Sequence, residues 1–252
     1  YRYYMTNLAT FRVHIAPLGF EIDRIIIPLK QTKADRLWLL AHDNRSDDLS
    51  IPYLEKIKKE CKKMGVELKI AYSDRLSIFK AIKSIKDIIE EEKNNYIYVN
   101  VASGSKIQAI ACMMACMVLK NCDNLKPFYA QPEKYAAFEG KQQSFGIKDT
   151  IALPIYEIQT PKPKLLAALK IVFEQKDQKM TKKDMAKITE EQGIITINSE
   201  EKNHSQARFA SLDKNIIAPL EKEWKFIEIE KIGRNRWIKI TEEGRNAAEF
   251  LI

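Results

Sequence analysis

A regular alternation of short β-prone runs and amphipathic helical runs over residues 1–158 is the feature that most narrows what this 252-residue chain can become. Arg12 to Ala16 reads as a strand ended by Pro17 and Gly19, and Phe20 to Leu29 as a helix. Arg36 to Ala41 is the next strand. Ile51, Leu54, Ile57, Cys61 and Met64 then recur at helical spacing until Gly65 stops them. Val66 to Ala71 follows as a strand. The next helix is capped by Ser73 or Asp74, and Leu76, Phe79, Ile82, Ile85 and Ile89 form its apolar face. Tyr96 to Val101 is strongly β-prone. The helix after it carries Ile107, Ile110, Ala111, Met114, Ala115 and Val118. Phe128 to Ala130 and Ile151 to Ile158 supply further strands. Parallel strands need crossover connections, so this order predicts an α/β fold: a Rossmann-like parallel sheet with helices on both faces.

Residues 131–150 interrupt the alternation with Gly140 and Gly146 among polar and aromatic residues. They read as a β-hairpin or binding loop, or as a solvated insertion. Residues 159–163 then form a linker, because Pro161 and Pro163 stiffen it and stop any preceding strand. The last stretch, 164–252, is different in kind. Leu165, Leu166, Leu169, Val172 and Phe173 make an amphipathic first helix. Thr181 caps a second, with Asp184 at the third helical position and Gly193 beyond its end. A third runs from about Ser205 to Leu220 with Leu212, Ile216 and Leu220 inward. Lys225 to Glu230 and Arg236 to Ile240 pair as strands across Gly233 and Arg234, and Thr241 opens a closing helix. Three helices, a two-stranded wing and a final helix make a winged helix-turn-helix.

Composition excludes more than it identifies. An apolar fraction of 45% supports a real core, and 30% charged residues of mixed sign argue against wholesale disorder. The net charge of +8 favours an anionic partner. No run approaches the ~20 apolar residues of a membrane-spanning helix. Tyr1 to Phe11 lacks the apolar core of a secretion signal, and Met5 is a candidate native start. A cytoplasmic protein is expected. Cys61, Cys112, Cys116 and Cys122 read as small buried thiols of a reducing compartment. His14, His42 and His204 are scattered and make no metal motif, so neither metal nor cofactor is expected.

In an open parallel sheet, ligands sit beyond the carboxyl ends of the strands. Two such ends stand out. One is the turn Leu18, Gly19, Phe20 and Glu21 after the first strand. The other is Asn100 with Ser103, Gly104, Ser105 and Lys106 after the central strand. Small residues there let backbone N–H groups and a helix N-terminus approach phosphate oxygens, and Lys106 adds a full charge. The bland alternative is a tight turn with two capping serines. The P-loop spacing, the dinucleotide fingerprint and the Gly-x-Ser-x-Gly elbow are all absent, which argues against the commonest nucleotide hydrolases, dehydrogenases and esterases.

Asn-x2-Ser-Gly-Ser-Lys at a strand end, with His14 to Arg24 earlier and a proline-marked linker and winged helix later, resembles the CRISPR-associated Rossmann-fold (CARF) transcriptional regulators of archaea. The stretch His14 to Arg24 is similar to a haloarchaeal-type branch of that group. The resemblance covers nearly the whole chain. It departs at Ser103-Gly104-Ser105-Lys106, which is one glycine short of the Thr/Ser-Gly-Gly-Thr-Lys common among relatives. It implies a homodimer, a pocket across the dyad and cyclic oligoadenylate as the ligand class.

Residues 159–252 hold 18 Lys or Arg against 15 Asp or Glu, so DNA binding must depend on placement rather than bulk charge. Lys182 and Lys183 at the second helix, Gln206, Arg208 and Lys214 on the third, and Arg234 and Arg236 at the wing are the residues placed to meet phosphates or base edges of duplex DNA. The expected function is a ligand-responsive DNA-binding transcriptional regulator. The alternatives are a phosphodiesterase (ring nuclease) acting on a cyclic oligonucleotide in the same pocket, and a winged-helix scaffold that binds protein.

Overall fold

The computed structural model describes residues 9–43, 48–74, 76–119, 124–135, 142–197 and 203–252. Met5, Cys122 and residues 136–141 of the interrupting segment lie outside the described residues. The chain divides into two compact units, Tyr1–Ile158 and Gln159–Ile252.

The first unit alternates as expected: β1 (Arg12–Pro17), α1 (Asp23–Thr32), β2 (Arg36–His42), α2 (Ile51–Met64), β3 (Glu67–Ser73), α3 (Ile78–Glu91), β4 (Tyr96–Asn100), α4 (Lys106–Val118) and β5 (Leu125–Gln131). Two short strands follow, β6 (Lys134–Tyr135) and β7 (Ser144–Phe145), and then β8 (Asp149–Ala152). The main sheet runs β3-β2-β1-β4-β5-β8, and its first five strands are parallel. The walk from β1 to β3 goes one way across the sheet, and the next crossover jumps back to β4. Because crossovers are right-handed, α1 and α2 cover one face and α3 and α4 the other. The order reverses between β1 and β4, which makes their carboxyl ends the topological switch point.

The strands are apolar because both faces are covered. Ile25, Leu29, Leu37, Leu39 and Ile57 form one buried layer. On α3, Ile82, Ile85 and Ile89 are buried as the helical spacing predicts. Arg36 and Glu92 pair at 2.7 Å, and the Trp38 indole N–H donates to the same carboxylate at 2.8 Å.

Three local expectations need correction. Helix α1 begins at Asp23 rather than Phe20, since residues 18–22 pack as a loop against the chain after β4. Neither Ser73 nor Asp74 caps α3. Asp74 Oδ1 accepts the Leu76 N–H at 2.9 Å, and Ser77 caps the helix. The strand expected over Ile151–Ile158 is only β8, antiparallel to β5 and exposed, because Pro154 cannot continue the ladder. The interrupting segment takes one of its expected forms, a hairpin with β6 antiparallel to β7.

The second unit contains α5 (Pro163–Phe173), β9 (Lys179–Thr181), α6 (Lys182–Glu191), α7 (His204–Leu212), β10 (Ile227–Ile232), β11 (Asn235–Ile240) and α8 (Glu242–Leu251). Its sheet is ordered β10-β11-β9. Leu165, Leu169, Val172, Met185, Leu212, Ile216, Leu220 and Ile238 meet in one core. Thr181 caps α6 by accepting the Asp184 N–H at 3.1 Å, and Thr241 caps α8 through the Gly244 N–H at 3.0 Å. Gly233 has φ +61° and turns the wing. Strand β9 was missed in the sequence because three residues give no periodicity. The third helix continues past α7 in two π-helical stretches, Asp213–Ile217 and Pro219–Glu223. The Ala218 N–H bonds the Asp213 carbonyl and the Trp224 N–H bonds the Pro219 carbonyl, each five residues back.

Candidate nucleotide-binding site and nucleic-acid interface

The loops after β1 and β4 meet backbone to backbone at the switch point. A Cβ placed on Gly19 would lie 2.8 Å from the Gly104 nitrogen, and one on Gly104 would collide with the Pro17 side chain. Gly104 also has φ +75°, a conformation that favours glycine. Both glycines are thus required by the close approach.

Around this contact, the sequence-predicted residues divide into those that hold the loops and those that face outward. Asn100 is buried and its amide is used twice. Nδ2 donates to the Arg24 carbonyl at 2.7 Å, and Oδ1 accepts the Ala102 N–H at 2.8 Å. It ties one loop to α1 and shapes the other, so positioning rather than ligand contact is what its geometry supports. Leu18 is buried, and its N–H donates to the Leu40 carbonyl at 2.8 Å. Phe20 is half-buried against the Tyr53 ring, centroids 5.4 Å apart.

Ser105 and Gln108 form a capping box at the start of α4. Ser105 Oγ accepts the Gln108 N–H at 3.2 Å, and Gln108 Oε1 accepts the Ser105 N–H at 3.0 Å. The box satisfies two donors of the first turn and leaves those of Lys106 and Ile107. Lys106 is exposed and has no ion pair among the described residues. Ser103 is 2% exposed, yet its Oγ has no hydrogen-bond partner among the described residues. A buried hydroxyl left so is unusual. Together these features offer a ligand an unspent hydroxyl, N–H groups at the positive end of a helix dipole, and an ammonium group.

The hairpin of β6 and β7 fastens onto the β1–α1 loop. Ser144 Oγ donates to Glu21 Oε2, the Gln143 N–H donates to the Phe20 carbonyl at 3.2 Å, and the Gly146 N–H donates to Asp23 Oδ2 at 2.9 Å. Burial pushes the Glu21 carboxyl above its usual range, against the opposing pull of Ser144 and Arg24. Arg24 Nη1 lies 3.6 Å from Glu21, and its Nε donates to the Ala130 carbonyl at 3.0 Å. The guanidinium also lies 4.9 Å from the centre of the Tyr129 ring. Glu21 is therefore part of the loop's buried support. The roles of Arg24 and Ser144 were invisible in the sequence, because their partners lie more than a hundred residues away in the chain.

Cys61, Cys112 and Cys116 are buried thiols, and burial pushes Cys61 up to about 11. At the ends of β2 and β3, His42, Asp43 and Asp74 bring a ring nitrogen and two carboxylates within 4.8 Å of one another. Sequence spacing gave no sign of this group.

In the winged helix, Lys183, Gln206, Lys214, Arg234 and Arg236 are exposed. Among the described residues none of the four cations has an ion pair. Lys182 and Arg208 differ. Lys182 Nζ donates to Asp213 Oδ2 at 2.6 Å, and Arg208 Nε lies 3.3 Å from Glu190, which also takes His204 at 2.9 Å. Lys182, Asp213, Lys222 and Arg236 line one cleft of about 330 Å³ between α6, the third helix and the wing.

Residues 12–135 match the family model described as HFX_2341_N:-like, N-terminal, and residues 164–252 match the DUF6293 C-terminal winged helix domain. Each match describes its own part of the chain, and between them they leave only the ends and the stretch 136–163 unmatched. The chain pairs a Rossmann-like, mostly parallel sheet with a winged helix, the architecture expected from the sequence. The chain is 26% identical over 216 residues to the uncharacterized protein MJ1513 of Methanocaldococcus jannaschii, covering 75% of this chain and 64% of that protein. Among solved structures it is similar to Can2 from Sulfobacillus thermosulfidooxidans in complex with cyclic tetra-adenylate (TM-score 0.42, 12% identity), covering 94% of this chain and 63% of that one. Enterococcus italicus Csm6 bound to cyclic hexa-2'-fluoro-hexa-dAMP gives 0.43 and 9%, covering 85% and 56%. The chain thus spans less than two thirds of each of these three proteins. Among the described residues, no helix is long and apolar enough to cross a membrane.

Proposed function

We propose that the protein is a ligand-responsive DNA-binding regulator whose first unit binds a phosphate-bearing nucleotide at the switch point. The observation that carries this reading is the Gly19–Gly104 contact, with the unpartnered Ser103 hydroxyl beside it and exposed Lys106 at the helix start. The glycine contact holds the two loops together, and N–H groups at a helix start, a hydroxyl and an ammonium are what a phosphodiester needs from its host. Cyclic oligoadenylate is the ligand class that the CARF resemblance implies. A homodimer would present each cradle twice to a ligand with its own two-fold symmetry. The second unit binds duplex DNA through the start of α6, the third helix and the wing, supported by the exposed Lys183, Lys214, Arg234 and Arg236, which have no ion pair among the described residues. A cytoplasmic setting follows from this role.

Ligand controls DNA binding only to the extent that it binds one dimer geometry better than another. Titration calorimetry against cyclic oligoadenylates, cyclic dinucleotides and mononucleotides tests the sensor. Mobility shifts on genomic fragments, with and without the ligand so found, test the output. The unpartnered Ser103 Oγ also favours a second reading, in which it orients a ribose hydroxyl and the ring is cleaved. Linear product in the calorimetry samples would establish that reading.

A further inference from the structure

The carboxyl ends of β2 and β3 lie on the same edge of the sheet as the nucleotide cradle. There the chain gathers His42, Asp43 and Asp74, 32 residues apart in sequence at their widest. His42 Nδ1 stands 2.9 Å from Asp43 Oδ1 and 3.5 Å from the Ser73 carbonyl, both acceptors, so an ion bound at Nδ1 takes the place of its proton, which is released to solvent. Metal–ligand bonds of about 2.0–2.2 Å set neighbouring ligand atoms roughly 3 Å apart, so this separation suits two ligands of one ion. The main chain holds the group in place. The Asp43 N–H donates to the Ser73 carbonyl at 3.3 Å, and the turn at Asp74 is closed by its own carboxylate on Leu76. The His42 side chain is only 13% exposed, whereas that of Asp43 is 53% exposed, which leaves the group open to water on one side.

A second, independent observation points to a ligand here. Ser73 is 8% exposed, and its Oγ has no hydrogen-bond partner among the described residues. In the parallel pairing of β2 with β3, Ser73 is the register partner of His42. Register partners project from the same face of a sheet, so the unspent hydroxyl lies on the side to which the imidazole projects. A buried hydroxyl costs stability until something engages it. Ions, or water held by them, do so.

We propose that His42, Asp43 and Asp74 form a divalent transition-metal site, with the Ser73 hydroxyl as a fourth donor or as partner to a metal-bound water. One imidazole and two carboxylates suit Zn²⁺ or Mn²⁺. The ion displaces Lys80, whose Nζ lies 3.9 Å from Asp74 Oδ2. Strands are spaced by about 4.8 Å, so the site lies roughly 10 Å along the edge from the β1–β4 junction. The proposal stands independently of what the cradle binds.

The test is calorimetry of the chelator-treated full chain with MnCl₂ and ZnCl₂, and loss of the free Mn²⁺ spin-resonance signal. One ion should bind per chain. Asp43→Asn, at an exposed position that does not threaten folding, and Asp74→Asn should each weaken it roughly ten-fold or more, the loss that even outer-shell partners cause. Thermal melts of both variants without metal should match wild type, and added Mn²⁺ should raise the melting temperature of wild type alone. Absence of binding up to millimolar metal, or equal affinity in wild type and both variants, overturns the proposal and leaves an ordinary His–Asp pair.

Discussion

Gly19 and Gly104, 85 positions apart in the chain, touch through their backbones, and neither tolerates a side chain. Gly104→Ala combines a collision with Pro17 and a left-handed backbone, so overpacking of about 1–3 kcal/mol and strain of about 1–2 kcal/mol should together destabilise the protein by about 2–5 kcal/mol. Gly193→Ala has the same left-handed backbone but open space around it, so it should cost only the conformational strain, about 1–2 kcal/mol. Urea denaturation of the two variants checks the difference, and only the first should also abolish nucleotide binding.

Lys106→Ala should leave stability unchanged, because the side chain is exposed and without an ion pair among the described residues. It should weaken nucleotide binding by ~1–3 kcal/mol, the range for a lost hydrogen bond to a charged group. Calorimetry reads the change directly. Equal affinities would reduce the loop to a structural turn.

On DNA, replacing any one of Lys183, Lys214, Arg234 or Arg236 with alanine should lower the salt slope by about one unit if that residue meets a phosphate. Asp213→Asn should act the other way. It frees Lys182 from a 2.6 Å partner and removes a negative charge from the same cleft. Affinity at low salt should rise and the slope steepen, as filter binding across a salt series will report.

His14 gives a pH signature. It is buried, with Tyr98 stacked on it at 4.9 Å and Phe128 edge-on at 5.6 Å. The Thr32 hydroxyl donates to the Pro28 carbonyl at 3.0 Å, which leaves it to accept from an Nε2–H of His14 at 2.8 Å. Burial pulls the imidazole down to about 3 from 6.5. Between those values the unfolded chain binds a proton that the folded chain refuses, so stability falls as pH drops from about 6.5 towards 3. His14→Gln should flatten that part of the stability curve in urea titrations at stepped pH.

Ile107, Ile110, Met113, Met114 and Met117 lie on the side of α4 opposite buried Ala111, Cys112, Ala115 and Cys116. Ile110 is 51% exposed. An apolar stripe so placed seeks a partner, and a second copy of the chain supplies an identical one. Sedimentation should give twice the chain mass for wild type and the single-chain mass for Ile110→Glu. Wild type sedimenting at the single-chain mass would defeat the dimer.

Much of this molecule was legible before any coordinates. Alternating runs in the first unit, the Thr181 and Thr241 caps and the glycine-turned wing each depend on neighbours a few residues away, which is the range over which patterns can be read. The turn Ser103 to Lys106 is readable for the same reason: a strand end feeding a helix is a local event. What escaped was made by distant chain. Nothing near Asn100 announces that its amide will hold the Arg24 carbonyl, and nothing near Glu21 announces Ser144. Lys182 reads as a free cation until folding sets Asp213 beside it. His42 and Asp74 meet only because β2 and β3 are neighbours in the sheet.

The wide turns in the third helix bear on how a winged helix of this kind can change its length. A bond reaching back five residues encloses one residue more than the ordinary helical bond, so each stretch holds a surplus residue without altering the chain on either side of it. Deleting one position between 213 and 217 would tighten the turn to normal pitch and leave the wing seated on β9. The same deletion inside α5 would turn every later side chain by about 100° and misalign the core. Single-residue gaps and insertions among homologous winged helices should therefore collect at these two turns, and the helix can gain or lose a residue there while the surface it offers downstream stays in phase.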